Sequence, residues 1–295
     1  MSSVRHRLPP WFKQKLPDPA ELRSLERLLR EKQLHTVCES ALCPNLGQCF
    51  SRKTATFMIL GDTCTRRCRF CAVKKGIPGA PDVEEPSHIR EAVITLGLRY
   101  VVITSVTRDD LADGGASQFV RTVEALHQED RGIGTEILIP DFQGSVEALG
   151  AVVRSGPNVV NHNVETAPRL YNKVRPQADY ARSVRLLSAV KELDPNIVTK
   201  SGLMVGLGET KDEVVKVMED LRGARCDLLT IGQYLQPSDE HHPVLNFVSP
   251  EEFDEYKQIG MDIGFVAVAS GPLVRSSYRA ADLYRDAGRS QSFLS

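Results

Sequence analysis

Six of the seven cysteines in this chain fall between Cys38 and Cys71, and the seventh, Cys226, stands alone. They form two arrays, Cys38-x4-Cys43-x5-Cys49 and Cys64-x3-Cys68-x2-Cys71. In a small secreted protein such crowding marks a disulfide framework. This chain has 295 residues, enough to bury a large core without cross-links. Its N-terminus, MSSVRHRLPPWFKQKLP, carries basic residues but no apolar stretch of signal-peptide length. Pro9, Pro10 and Trp11 interrupt any early amphipathic helix. The cysteines are therefore expected to be reduced, metal-binding thiolates in a cytoplasmic protein. A formal net charge of −1 leaves no global field for nucleic acid or an anionic membrane. No apolar run is long enough to cross a bilayer, so neither nucleic acid nor membrane is expected as a partner.

From about Thr54 onward, β-type and helix-type segments alternate. Strands are expected at Thr54–Leu60, Tyr100–Ser105, Glu136–Ile139, Val159–Asn163, Ile197–Met204 and Leu228–Gln233, with a late apolar run at Phe265–Ala269. Most are nearly continuous apolar runs, as in parallel strands covered on both faces. Helical patterns lie between them, near Ile89–Leu96, Gln118–His127, Val146–Val153, Tyr180–Leu193, Glu213–Leu221 and Glu252–Ile259. Strand starts recur at the spacing of a βα unit. The pattern predicts an α/β fold, a partial (βα)6 TIM-type barrel, with a doubly wound open sheet as the alternative. Residues 1–53 form an N-terminal helical and cysteine-loop extension, 54–269 the barrel, and 270–295 a polar, Arg-rich C-terminal segment. In the extension, Asp18–Gln33 reads as an amphipathic helix with Asp18 as N-cap and Pro19 at the first helical position. The Cys38–Cys49 loop has too few apolar residues to order itself by burial.

Three thiolates on one short loop can hold three irons of a cubane and leave the fourth open to a substrate. Zinc usually requires a fourth nearby Cys or His, and the next histidine, His88, is far along the chain. The Cys38–Cys49 array again offers three thiolates at a spacing uncommon for zinc, so a second cluster with one other ligand is expected. Arg275-Ser276-Ser277-Tyr278 near the other end would by itself read as a solvated turn.

The Cys64–Cys71 array, with Phe70 before its last cysteine, resembles the signature of the radical S-adenosylmethionine superfamily. The Cys38–Cys49 array and the RSSY segment resemble the lipoyl synthase family within it. Further similar segments are Pro10-Trp11, Thr104–Asp110, Asp113–Gly115, Asn161–Thr166, Val174–Pro176, Lys200–Thr210 and Ser270–Pro272, so the resemblance spans the chain. It implies two 4Fe–4S clusters and S-adenosylmethionine as cofactors. The cluster at Cys64, Cys68 and Cys71 would cleave S-adenosylmethionine to a 5′-deoxyadenosyl radical. The cluster at Cys38, Cys43 and Cys49 would take a serine of RSSY, preferably Ser277 over Ser276, as fourth ligand. That cluster would donate sulfur to carbons 6 and 8 of a protein-bound octanoyl-lysine. The implied partners are octanoylated lipoyl-carrier domains such as the glycine-cleavage H protein or a 2-oxo-acid dehydrogenase acyltransferase. An electron donor such as flavodoxin or ferredoxin and an iron–sulfur carrier protein are also implied. Another radical S-adenosylmethionine enzyme, or an iron–sulfur or zinc protein acting in binding or electron transfer, are the alternatives.

Active sites of parallel barrels lie where the βα loops converge. Thr104 and Ser105 end one strand and offer hydroxyls to the methionine amino or carboxylate group, against the competing reading of a strand-end hydrogen bond. Asn163 and Glu165 end another, where a carboxylate can accept ribose hydroxyls. Arg175 either faces the cofactor carboxylate or forms a surface salt bridge. Met204–Gly208 allows close approach of backbone to adenine. Asp109, Asp110 and Asp113 read as a solvated loop, His162 as a packed strand residue, and Cys226 as a small buried residue.

Overall fold

The computed structural model describes residues 8–13, 19–40, 45, 56–128 and 132–288. Cys43, Cys49, the expected Asp18 cap, the basic arm through Arg7 and the side chain of Cys38 lie outside the described residues. The strands are β1 (His35–Thr36), β2 (Thr56–Ile59), β3 (Thr63–Cys64), β4 (Lys74–Lys75), β5 (Tyr100–Ser105), β6 (Gly134–Leu138), β7 (Val159–Asn161), β8 (Val198–Val205), β9 (Leu228–Gln233) and β10 (Ala267–Gly271). An eight-stranded sheet runs in the order β1-β2-β5-β6-β7-β8-β9-β10. Its β1–β2 pair is antiparallel and all its other neighbours are parallel. Helices Glu85–Leu96, Ala116–His127, Val146–Arg154, Tyr180–Leu193, Lys211–Gly223 and Pro250–Ile263 alternate with the parallel strands. This is the expected partial TIM-type barrel, extended by the short antiparallel β1.

Local sequence explains the helix starts. Thr210 and Ser249 each accept from a backbone N–H three residues on, and Glu213 and Glu252 return the bond, giving a capping box at each start. Gly97 and Gly264 end two helices in the left-handed conformation.

The parallel strands read as continuous apolar runs because both faces are covered. Val101 and Ile103 of β5 pack under the outer helices, while Tyr100 and Val102 turn to the interior. There they meet Val159 of β7, Val198 of β8, Leu228 of β9 and Ala267 of β10 in one cluster. Strands that are not neighbours can share a cluster only if the sheet curls.

The C-terminal segment is a correction. A polar tail was expected, but Ala280–Asp286 is a helix that closes the amino end of the barrel. Ala280, Leu283 and Tyr284 are buried against the interior strands, and the Tyr284 and Tyr100 rings lie 5.9 Å apart. Three apolar residues among Arg and Asp make a weak periodic signal. Burying Leu283 and Tyr284 nevertheless contributes about 2 kcal/mol each, which outweighs the poor propensity of so short a helix. A second correction concerns Cys38, expected in a loop and found on the short helix Val37–Ser40. Among the described residues no helix is long and apolar enough to cross a membrane.

Candidate active site

Pairing of β3 with β4, Thr63 against Lys74 and Cys64 against Lys75, closes residues 65–73 into a loop above β2. This loop carries Cys68 and Cys71, with Cys64 at its root. Neighbouring βα loops tie it down on several sides. The backbone N–H of Thr65 donates to Thr107 O at 3.0 Å, that of Arg69 to Val174 O at 2.8 Å, and that of Arg67 to Gln177 Oε1 at 2.6 Å. The Thr107 N–H donates to Cys64 Sγ at 3.3 Å. Arg66 is buried, and its guanidinium forks onto both Asp109 oxygens, at 2.7 and 2.9 Å, and reaches Asp141 at 2.6 Å. Burial alone would lower the Arg66 pKa, but these carboxylates outweigh it and raise it. Burial likewise pulls Asp141 upward, yet the Arg66 hydrogen bond and charge hold its carboxyl down to about 2.

Beside the loop lies a cavity of about 360 Å³, a common size for a small-molecule site. Cys64, Cys68 and Cys71 line it together with Thr104, Ser105, Asn163, Glu165, Arg175 and Ser277. The fold thus brings together at the carboxyl end of the barrel every site residue named from sequence whose side chain is described. Their states differ. Thr104 Oγ1 donates to Leu138 O at 2.9 Å, the strand-end bond that was the competing reading. Arg175 is 8% exposed and is no surface salt bridge. Its Nη1 donates to the carbonyls of Asn163 and Val164, and its guanidinium stacks over the Tyr171 ring at 5.2 Å. Glu165 sits in the left-handed region at φ 67°, a strained setting for a non-glycine residue. Burial raises its carboxyl pKa, against the opposing charge of Arg175.

Three buried polar atoms on this wall have no partner among the described residues: Ser105 Oγ, Asn163 Oδ1 and Arg175 Nε. An orphaned buried polar atom costs about 1–3 kcal/mol, so a cluster of them calls for a ligand. Gly202 on β8 faces the same wall. A Cβ there would sit 2.5 Å from Thr230 Oγ1 and 2.9 Å from Asn163 Oδ1. A zwitterionic, hydroxyl-bearing molecule such as S-adenosylmethionine matches a wall of hydroxyl, amide, carboxylate and guanidinium groups.

The thiols also fit a cluster. Among the described residues no three His, Cys, Asp or Glu side chains converge as a single metal ion requires. A cubane does not require it, because each thiolate binds a different iron. Burial pushes the Cys71 thiol up to about 12 and raises Cys68 as well. Burial thus favours the neutral thiol at Cys68 and Cys71, and metal binding must release their protons.

The RSSY segment follows β10. Ser276 Oγ accepts from Asn163 Nδ2 at 3.2 Å, and Ser277 borders the cavity. Gly232 on β9 is needed here, because a Cβ would collide with the carbonyl of Val274 and push the segment away. Two described residues of the stretch around the first cysteine array reach the same place. Val37, next to Cys38, lines the cavity, and Asn45 Nδ2 donates to Leu273 O at 2.6 Å.

Other expectations resolve simply. Asp109 pairs with Arg66 and Asp110 with the buried Arg108. Asp113 accepts from the N–H groups of Gly115 and Ser117. They form no shared carboxylate site. His162 and Cys226 are buried. Sequence reasoning missed Arg66, Asp141 and His241, whose hydrogen bonds tie down the loop of residues 65–73. A charged residue inside a cysteine array was the available signal for Arg66, but no short-range pattern pointed to its partner.

The family model of the radical SAM superfamily matches residues 58–221, and that of the N-terminal domain of lipoyl synthase matches residues 1–43. A lipoyl synthase of Caldanaerobacter subterraneus is 58% identical over 93% of this chain and 96% of its own length. One of Aquifex aeolicus is 55% identical over 88% of this chain and 95% of its own. Among solved structures, the FeFe-hydrogenase maturase HydG aligns with a TM-score of 0.58 at 14% identity, over 85% of this chain and 56% of that one. Streptococcus suis SuiB bound to S-adenosylmethionine aligns at 0.56 and 9% identity, over 74% and 50%. Those two show the fold. Identity above one half, sustained over nearly the whole length of both partners, shows more: the chain belongs to the lipoyl synthase family of the radical SAM superfamily.

Proposed function

We propose that this enzyme holds one 4Fe–4S cluster on Cys64, Cys68 and Cys71, and a second, sulfur-donating cluster on Cys38, Cys43, Cys49 and Ser277. The reaction of the family is radical SAM-dependent insertion of two sulfur atoms at carbons 6 and 8 of a protein-bound octanoyl-lysine. This chain is a sulfurtransferase of that kind. When bound, the first cluster and S-adenosylmethionine supply the means to remove hydrogen from an unactivated C–H bond.

The chain's own residues do the rest. Ser105, Asn163 and Arg175 offer their unpartnered atoms to the methionyl amino and carboxylate groups. Glu165 accepts from ribose hydroxyls, and Gly202 leaves room for the ligand to approach the backbone. Thr104 keeps its hydroxyl on Leu138 and shapes the wall. Exclusion of water by the enclosing loops protects the reactive carbon centre from side reactions. A serine oxygen is a harder donor than thiolate and suits a cluster that gives up its sulfide.

The observation that carries the second cluster is the Asn45–Leu273 hydrogen bond. It joins the middle of the first cysteine array to the segment four residues ahead of Ser277. The substrate reading also requires a lipoyl-carrier domain to present its octanoyl-lysine at the cavity mouth. The glycine-cleavage H protein and 2-oxo-acid dehydrogenase acyltransferases fit that role. Flavodoxin or ferredoxin fits as reductant, and an iron–sulfur carrier as the source of replacement clusters.

The test is anaerobic reconstitution with iron and sulfide. The intact chain should hold about eight irons, two cubanes. Cys43→Ala should hold about half, still release 5′-deoxyadenosine from S-adenosylmethionine, and fail to put sulfur into an octanoyl-lysyl peptide by mass spectrometry. Cys68→Ala should release none. About four irons in the intact chain would remove the second cluster from this account.

A further inference from the structure

The cluster loop is anchored on one side by Arg66 and its carboxylates. A different segment holds the opposite side, where Arg69 and Cys71 lie. Between β9 and the helix Pro250–Ile263 the chain runs through Gln236-Pro237-Ser238-Asp239-Glu240-His241-His242, and nothing in the proposed chemistry uses it. His241 Nε2 lies 3.0 Å from Cys71 O, and His241 Nδ1 lies 2.8 Å from Ser238 Oγ. A carbonyl only accepts, so Nε2 carries the hydrogen. Nδ1 of the neutral ring is then an acceptor, and the Ser238 hydroxyl donates to it. Next along, the His242 N–H donates to Arg69 O at 2.8 Å, and His242 Nε2 to Leu207 O at 2.9 Å.

This segment is itself fixed. Gln236 Nε2 donates to Ser238 O and His241 O, and Tyr234 OH donates to His242 O at 2.6 Å. Farther on, the Leu245 N–H donates to Gly206 O, and Gln233 spans to Asn246 O and the Val248 N–H. A strap pinned at both ends has no evident purpose except at what it touches. Besides Leu207 O and the cavity wall, where Pro237 lies, it touches the carbonyls of Arg69 and Cys71.

We propose that His241 is a positioning residue for the Cys64–Cys71 cluster site, with Ser238 selecting its tautomer. The Ser238–His241 pair holds the Cys71 carbonyl, so that the third thiolate stays on the cavity wall and the iron it binds stays shielded from solvent. His242 adds a backbone anchor at Arg69. This rests on the reading that Cys64, Cys68 and Cys71 hold a cluster, and the test separates the two.

The test uses the full chain, reconstituted anaerobically, with two readouts other than turnover. The first is the rate at which an iron chelator bleaches the cluster absorption. The second is the electron paramagnetic resonance signal of the reduced protein with and without S-adenosylmethionine. In His241→Ala, about half of the iron should leave about fivefold faster, the factor expected for one lost hydrogen bond, while the other half leaves at the original rate. The S-adenosylmethionine-dependent change in the spectrum should broaden or weaken. His241→Gln, whose amide can donate where Nε2 did, should restore both. Ser238→Ala, an exposed change that does not threaten folding, should raise the rate about twofold. If Ser238→Ala and a folded His241→Ala both release iron at the original rate with an unaltered spectrum, the strap has no such role. If Cys71→Ala keeps a signal that responds to S-adenosylmethionine, the cluster assignment fails instead, whatever the histidine variants do.

Discussion

The two ends of the barrel interior treat polar groups in opposite ways. Toward the amino end, Glu136 of β6 and Lys200 of β8 are completely buried and bonded at 2.8 Å. Tyr100 OH donates to Glu136 Oε2 at 3.0 Å, and Asn161 Nδ2 to Glu136 Oε1 at 3.2 Å. Both carboxylate oxygens and the ammonium have partners, and among the described residues of this cluster Asn161 Oδ1 alone is left over. At the carboxyl end, Ser105, Asn163 and Arg175 each keep a buried atom with no partner among the described residues. A paired group is finished structure, while an unpaired one is paid for by the ligand that completes it. The difference separates two sets of buried polar residues that look alike in sequence, and it assigns the floor to stability and the mouth to binding.

The strongest way to break this contrast is to remove one floor partner. Lys200→Met leaves Glu136 buried without its cation and should cost about 3–5 kcal/mol of stability. Glu136→Gln combined with Lys200→Met should recover most of that. Denaturant midpoints of the single and double variants measure it. A Lys200→Met protein as stable as the parent would mean the pair is idle.

His162 sharpens the boundary. It lines the cavity, yet both ring nitrogens are engaged, by Ile139 O at 2.8 Å and Ser183 Oγ at 3.0 Å. Burial, aided by the charge of Arg175, lowers its pKa from 6.5 to about 4. The folded state therefore binds the proton less well than the unfolded chain. The stability from this residue is complete above about pH 6.5 and is lost as pH falls toward 4, about 3 kcal/mol in all. His162→Gln should flatten the stability profile in that window. An unchanged slope in unfolding midpoints from pH 4 to 7 would place His162 with the unpaired mouth groups.

The smallest effect is expected at the mouth itself. Ser105→Ala deletes a hydroxyl that has no partner among the described residues. Removing an orphaned buried hydroxyl should raise stability without ligand by about 1 kcal/mol, while S-adenosylmethionine binding weakens about tenfold, one charge-assisted hydrogen bond. Equilibrium dialysis measures the binding. Loss of stability without loss of affinity would erase the distinction between floor and mouth.

Much of the fold was legible because βα alternation is local: β5 and β9 have the same bounds as the apolar runs. The Ala280–Asp286 helix was not legible, because its three buried residues gain their meaning only from the barrel floor. The thiol array stood out because its ligands lie within eight residues of chain. Arg66 and His241 did not, since Asp141 is 75 residues from Arg66 and Cys71 is 170 from His241.

What the chain alone determined is therefore whatever depends on near neighbours: the βα periodicity, the helix caps and the two cysteine spacings that name the chemistry. The tertiary structure decided which buried polar atoms are paired and which await a ligand. It also brought the Arg275–Tyr278 segment to the cavity mouth. Hydrogen bonds reach only about 3 Å, so satisfaction is a property of what the folded loops bring together, and residues far apart in sequence carry no mark of it.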